Sequence, residues 1–212
     1  MTASSPNPVA NGRADSSVLS LRLDSLSFDG VPILGAIDLA VVTGETLALV
    51  GPSGIGKSSL LRIIAGLERD YQGDCHVAGK VAMVFQEPTL LPWRTVRDNI
   101  TVPTGVSDQM AEDALGEVGL AGRGDTYPLK LSLGEQRRLS LARAFAVRPA
   151  LLLMDEPFVS LDPALVAEMM DLFRTLRDTH QVATILVTHV ADEARALADR
   201  VVTLSGSPAT IA

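Results

Sequence analysis

The sequence predicts an α/β fold: a mostly parallel sheet flanked by helices, an antiparallel β portion at the N-terminal end and a small helical lobe inserted later. Three observations predict it. From residue 132 onward, short apolar runs alternate with helical patterns, and strands alternating with helices join through crossovers into a parallel sheet. Across residues 46–67 a continuous apolar run, a glycine-rich loop and an amphipathic segment follow one another directly. The sequence before that loop is strand-rich. At 212 residues the chain fits a single domain with room for a sizeable core.

Residues 1–17 are rich in proline, serine, asparagine and glycine and lack the apolar stretch of a secretory signal, so they read as a flexible tail before one domain at 18–212. Leu19, Leu21 and Leu23 alternate with polar residues, and Leu26 and Phe28 resume after a slip of one, which predicts a bulged strand turned by Asp29-Gly30. Two further apolar runs fill 31–50, separated by Thr43-Gly44-Glu45, the second a buried-strand pattern at 46–50. Residues 58–67 place Leu60, Leu61, Ile63, Ile64 and Leu67 at helical spacing. Residues 71–86 read as two short strands joined by Ala78-Gly79-Lys80. A helical lobe is expected over about 87–147, with Ser107 capping a helix that carries Met110, Ala111, Ala114, Leu115 and Val118 on one face. After a helix from Ser132 come strands at 151–154, 183–187 and 201–204, with helices between them, the first at 165–176.

Composition excludes several classes. Acidic residues number 25 against 18 basic, and the net charge of −7 disfavours attraction to nucleic acid or anionic lipid through charge alone. Cys75 is the only cysteine, which excludes an intrachain disulfide or a cysteine metal cluster and suits a reducing compartment. No run reaches the roughly 18 apolar residues of a membrane span, so a cytoplasmic location is expected.

Gly51-Pro52-Ser53-Gly54-Ile55-Gly56-Lys57-Ser58 satisfies G-x-x-x-x-G-K-[ST] between a buried strand and a helix. Glycines there let backbone N–H groups curl around a β-phosphate, Lys57 bridges β- and γ-phosphates, and the Ser58 hydroxyl reaches Mg²⁺. With Ser59 beside them, these residues are the candidate ATP-binding loop of a P-loop NTPase core. The apolar run at 151–154 ends in Asp155 and Glu156. Asp155 is the candidate for the Mg²⁺ shell, and Glu156 for polarising the water that attacks the γ-phosphate. These two motifs alone narrow the reading only to nucleotide hydrolases and small kinases.

Between them lies Leu131-Ser132-Leu133-Gly134-Glu135-Gln136, at the start of a helix. Here the chain resembles the ATP-binding cassette family, whose signature is usually Leu-Ser-Gly-Gly-Gln, and the likeness runs from about Leu19 to Ile211. The resemblance implies that Phe28 stacks on adenine, a core strand aromatic being its other reading. It implies that Gln86 reaches Mg²⁺ and the attacking water and couples the site to the helical lobe. Ser132, Gly134 and Glu135 would face the nucleotide of a partner cassette, Asp162 would lie in the loop that contacts that partner, an ordinary helix-start turn being its other reading, and His189 would contact the γ-phosphate and steady the water with Glu156. His76 and His180 have no such context and read as surface or edge residues. Leu133 stands where the family has glycine; because Ser132 and Glu135 also form a capping box, it is expected to point away with activity retained.

Residues 86–100, with the single tryptophan Trp93, resemble the cassettes of bacterial importers for nitrate, sulfonate and taurine, with thiamine pyrimidine precursors another possibility in that group. Trp93 would either line a permease pocket or pack under the helical lobe, which reads as shorter than the family's. The implied protein is an ATPase using ATP and Mg²⁺, a head-to-tail homodimer on transmembrane permease subunits, served indirectly by an extracytoplasmic solute-binding protein and peripheral to the inner face of the cell membrane. No nucleic-acid partner is expected. The alternatives are a soluble nucleotide-gated switch and an exporter engine.

Overall fold

A computed structural model describes residues 17–212. The predicted tail falls outside the described residues except for Ser17, which already belongs to the first strand. In chain order the elements are β1 (Ser17–Phe28), β2 (Val31–Leu34), β3 (Ile37–Val42), β4 (Thr46–Val50), α1 (Lys57–Ile64), β5 (Gln72–Val77) and β6 (Val81–Val84). Then follow α2 (Asp98–Thr104), α3 (Asp108–Glu117), a 3-10 turn (Pro128–Lys130) and α4 (Leu133–Ala146). The chain ends with β7 (Leu151–Asp155), α5 (Pro163–His180), β8 (Ala183–Val187), α6 (Ala191–Leu197), β9 (Arg200–Gly206) and β10 (Ala209–Ile211).

The parallel sheet has the order β9-β4-β8-β7-β6. Its central strands are buried on both faces, which is why they read as unbroken apolar runs. Leu151 and Leu153 of β7 pack with Ile185, Leu47, Leu49 and the α1 residues Leu60 and Leu61. The intervening Leu152 and Met154 face the opposite side, against Phe145 of α4 and Phe173 of α5. The lobe residues Val96, Ile100, Leu115 and Val118 belong to that second cluster, so the lobe shares its core with the sheet.

The antiparallel portion is built on β1, which pairs with β2, β3 and β5. Register shifts fall at Leu23/Ser25 and Leu26/Ser27, where β1 leaves β3 and β5 for β2. The extra residue keeps Leu26 buried along with Leu19, Leu21 and Leu23.

Several sequence expectations are corrected. Residues 31–50 hold three strands, because β2 and β3 are separate partners of β1. The two strands expected at 71–86 are present as β5 and β6, the first joining β1 and the second β7. Met110 is exposed, since the buried face of α3 is centred on Ala111, Ala114 and Leu115. The final β10 was not anticipated; it pairs with β9 and, at Ala209 opposite Leu34, with β2, tying the two sheet portions together. No helix among the described residues is long and apolar enough to cross a membrane.

Candidate functional site

The glycine-rich loop leaves β4 and turns into α1 through backbone that side chains tolerate poorly. Gly51 and Gly56 have φ of 153° and 109°. A Cβ at Gly51 would sit 2.8 Å from the Leu204 carbonyl oxygen, and one at Gly56 would sit 2.6 Å from Leu34 Cδ2. Glycine is therefore required both by conformation and by the close approach of β9 and β2. Lys57 is nearly buried, and its Nζ donates to the carbonyls of Gly51 at 2.9 Å and Pro52 at 2.8 Å, which draws the ammonium under the loop. Ile55 packs against the core and anchors the loop tip. The backbone N–H groups of Gly54, Gly56, Lys57 and Ser58 find no acceptor among the described residues. Together with the start of α1 they present an anion-binding surface.

At the end of β7, burial pushes the Asp155 carboxyl above the usual range, opposed by a hydrogen bond from Ser58 and the positive charges of Lys57 and Arg62. Glu156 adopts φ of 47°, and its N–H donates to the Val187 carbonyl at 3.0 Å. This left-handed turn aims its carboxylate at the second residue after β8, where Glu156 Oε2 lies 3.3 Å from His189 Nδ1. Two residues that sequence reasoning missed fix the histidine's turn. Thr188 Oγ1 donates to the buried carboxylate of Glu193 and accepts from the Val190 N–H at 3.0 Å.

These pieces enclose a cavity of about 500 Å³. Phe28 and Ile33 come from the antiparallel portion, Ser53, Gly54, Gly56, Lys57, Ser58 and Ser59 from the loop and α1, and Gln86, Asp155 and Glu156 from the parallel sheet. Phe28 is 41% exposed, which excludes its reading as a core aromatic. A second cavity, of about 530 Å³, lies on the far side of Glu156 and is lined by Phe158, Ser160, Leu161 and His189 among others.

Ser132, Gly134, Glu135 and Asp162 lie outside both cavities. Ser132 caps α4 in a full capping box: its Oγ accepts from Glu135 N at 3.2 Å, and Glu135 Oε2 accepts from Ser132 N at 2.8 Å. Those bonds hold the Glu135 carboxyl below its usual range, with Arg123, 3.5 Å from Oε1, adding to the effect. Both Glu135 oxygens are thus engaged within the chain, which weighs against direct contact with a phosphate. Leu133 is 48% exposed at the first position of α4. A Cβ at Gly134 would approach Leu165 Cδ1 to 3.0 Å, so glycine there lets α4 lie close to α5. Asp162 caps α5 by accepting from the N–H groups of Ala164 and Leu165 at 3.1 and 3.0 Å.

Trp93 is 70% exposed, which overturns the reading that it packs under the lobe. Its loop is organised by the fully buried Asn99, which accepts from Leu91 N at 2.7 Å and donates to the Thr95 carbonyl at 2.8 Å. His76 is exposed on β5 as expected. His180 is a correction: it pairs with Glu117 of α3 at 2.9 Å and stacks obliquely 5.6 Å from the Phe145 ring, joining the lobe to α5.

Ser58, Gln86 and Asp155 offer a hydroxyl, an amide oxygen and a carboxylate, hard donors that suit Mg²⁺. Among the described residues no cluster of three or more His, Cys, Asp or Glu forms a protein-only metal cage.

Comparison with known proteins matches residues 34–159 to the family described as ABC transporter. The aliphatic sulfonates import ATP-binding protein SsuB 1 of Pseudomonas savastanoi pv. phaseolicola is 43% identical over 202 residues, covering 92% of this chain and 84% of that one. Its counterpart from Granulibacter bethesdensis is 46% identical over 191 residues, covering 88% and 79%. That from Mycobacterium avium is 42% identical over 211 residues, covering 96% and 83%. Among solved structures, a chain of a transporter described as metal-chelate type, in an inward-facing conformation, shares the fold with a TM-score of 0.82 at 24% identity, over 92% of this chain and 83% of that one. With a family match over more than half its length and relatives above 40% identity across most of both chains, the chain belongs to the ABC transporter family, as its nucleotide-binding, ATP-hydrolysing part.

Proposed function

We propose that this chain is the ATPase subunit of an importer for aliphatic sulfonates, working as a head-to-tail homodimer with Mg²⁺ on transmembrane permease subunits. The observation that carries the engine is Glu156 held 3.3 Å from His189 at the edge of the cavity formed by Lys57, Gln86 and Asp155. Phe28 stacks on the adenine, and the free N–H groups of the loop with Lys57 take the phosphates. Ser58, Gln86 and Asp155 would hold Mg²⁺, which would supply positive charge against the phosphates. Glu156 accepts a proton from the attacking water, and His189 fixes the direction of that carboxylate.

Ser132 and Gly134, at the exposed start of α4, face the nucleotide held by a second copy, and Asp162 lies in the loop next to it. Glu135 acts through the helix start it closes. Each ATP then links two copies, and loss of phosphate removes charge that both were holding, so the dimer opens. This cycle moves permeases docked near Gln86 and Trp93, with the subunit peripheral at the inner face of the membrane and an extracytoplasmic binding protein delivering the solute.

The names of the relatives support import and an aliphatic sulfonate, and they favour neither a soluble switch nor an exporter. The test is reconstitution of the chain with its permease subunits and binding protein in proteoliposomes. An alkanesulfonate is expected to stimulate ATP hydrolysis and to accumulate inside. Stimulation by nitrate in its place would overturn the solute, and hydrolysis independent of any solute would overturn the importer.

A further inference from the structure

We propose that Arg137 is a positioning residue for ATP hydrolysis, which sets the Gln86 segment and the turn after Glu156 from a single point on α4. The inference rests on the proposed ATPase reading and adds a residue to it.

Arg137 lies one turn into α4 and is only 6% exposed. Its Nη1 donates to the carbonyl of Gln86, and its Nη2 lies 3.5 Å from the carbonyl of Val159. It makes no ion pair among the described residues, and its Nε has no hydrogen-bond partner there. Burial pulls this guanidinium below the usual arginine range, against an opposing pull from Glu87. A buried cation set against carbonyls stabilises a helix less well than an apolar side chain of similar size would. What the guanidinium adds is geometry, because a planar fork fixes two acceptors relative to each other.

Those two acceptors belong to the two halves of the site. Gln86 lines the nucleotide cavity, so holding its carbonyl sets the direction of its side chain. Val159 closes the turn that begins at Glu156, its N–H lying 3.3 Å from the Glu156 carbonyl oxygen. Farther along the same face of α4, Ser140 Oγ donates to the Pro88 carbonyl at 3.1 Å, and Arg143 donates to the carbonyls of Pro88 and Thr89, each at 3.0 Å. The segment 86–89 is therefore fastened to α4 at three residues, but only Arg137 also reaches the turn after Glu156. A shift of α4, whose first turn carries Ser132 and Gly134, reaches both Gln86 and Glu156 through this one side chain.

The test compares the full chain with Arg137→Gln, Arg137→Lys and Arg143→Gln by steady-state ATPase kinetics, thermal unfolding and amide hydrogen exchange. Arg137→Gln is expected to lower kcat by about tenfold to a hundredfold while KM for ATP stays within about threefold, with Tm close to wild type and part of the rate restored in Arg137→Lys. Arg143→Gln, which frees only one segment, is expected to keep most of kcat. Should Arg137→Gln fail to fold, Arg137→Lys decides, with faster exchange expected at both 85–90 and 157–161. Unchanged kcat in the Arg137 variants, an equal loss in Arg143→Gln, or faster exchange at one segment alone would overturn the proposal. A wild-type chain without ATPase activity would overturn the functional reading instead, and exchange at the two segments would still decide the role of Arg137.

Discussion

Gly56 carries two demands at once, a φ of 109° and a neighbour, Leu34 Cδ2, that would lie 2.6 Å from any Cβ. Gly56→Ala is expected to destabilise the chain by about 1–3 kcal/mol and to abolish ATP binding, as thermal unfolding and nucleotide titration would read it. An alanine variant that binds ATP normally would mean the loop adapts. Glu135 is different in kind, because its carboxylate is spent on Ser132 N and Arg123. Glu135→Gln keeps the acceptor for Ser132 N and is expected to retain ATPase activity, while losing less than about 1 kcal/mol of stability from the weakened pair with Arg123. The glycine-rich loop and the paired Asp155 and Glu156 could be picked out in the sequence because phosphate chemistry demands particular side chains at fixed spacing, whereas His189 was singled out by the family resemblance alone. Arg137, Asn99 and Glu193 were not, since a charged or amide residue within a helical pattern reads as solvated until tertiary contacts bury it.

At the scale of elements, α4 carries the departure from the family signature. Leu133 occupies its first helical position, with 48% exposure, and does not contribute to the core. Leu133→Gly is expected to leave ATP turnover unchanged and to cost at most about 1 kcal/mol of helix stability. A severalfold rise in turnover with unchanged dimerisation would show that the leucine crowds the nucleotide. The same helix illustrates what patterning reveals: S-x-x-E announced its start, and the capping box is present with both bonds. Strand partners were less legible. The runs at 72–77 and 81–84 are strands as their patterning suggests, but their partners, β1 and β7, lie far away in the sequence and could not be read from it.

Across the whole molecule, the alternating order of strands and helices made the parallel sheet legible, and the single apolar runs announced strands covered on both faces. The closing β10 escaped because three residues after a proline carry no periodicity, although they bridge β9 and β2. The helical lobe shares one apolar cluster with α5 and the sheet, and His180 bonds to Glu117 across the same joint. Lobe and sheet are therefore expected to unfold together. Far-UV circular dichroism and the fluorescence of Trp93, the only tryptophan, should give one coincident midpoint in denaturant. Two separated midpoints would show that the lobe is an independent unit.

The proposed cycle depends on Glu156 serving ATP hydrolysis within a nucleotide-closed pair. The most direct measurement is steady-state ATPase activity of the purified chain beside Glu156→Gln, with the oligomeric state of each determined with and without ATP and Mg²⁺. Turnover in the wild type, its loss by at least about a hundredfold in the variant and an ATP-trapped dimer of that variant are the predicted results. A Glu156→Gln chain that turns over ATP at the wild-type rate, or that stays monomeric with ATP and Mg²⁺, would contradict it.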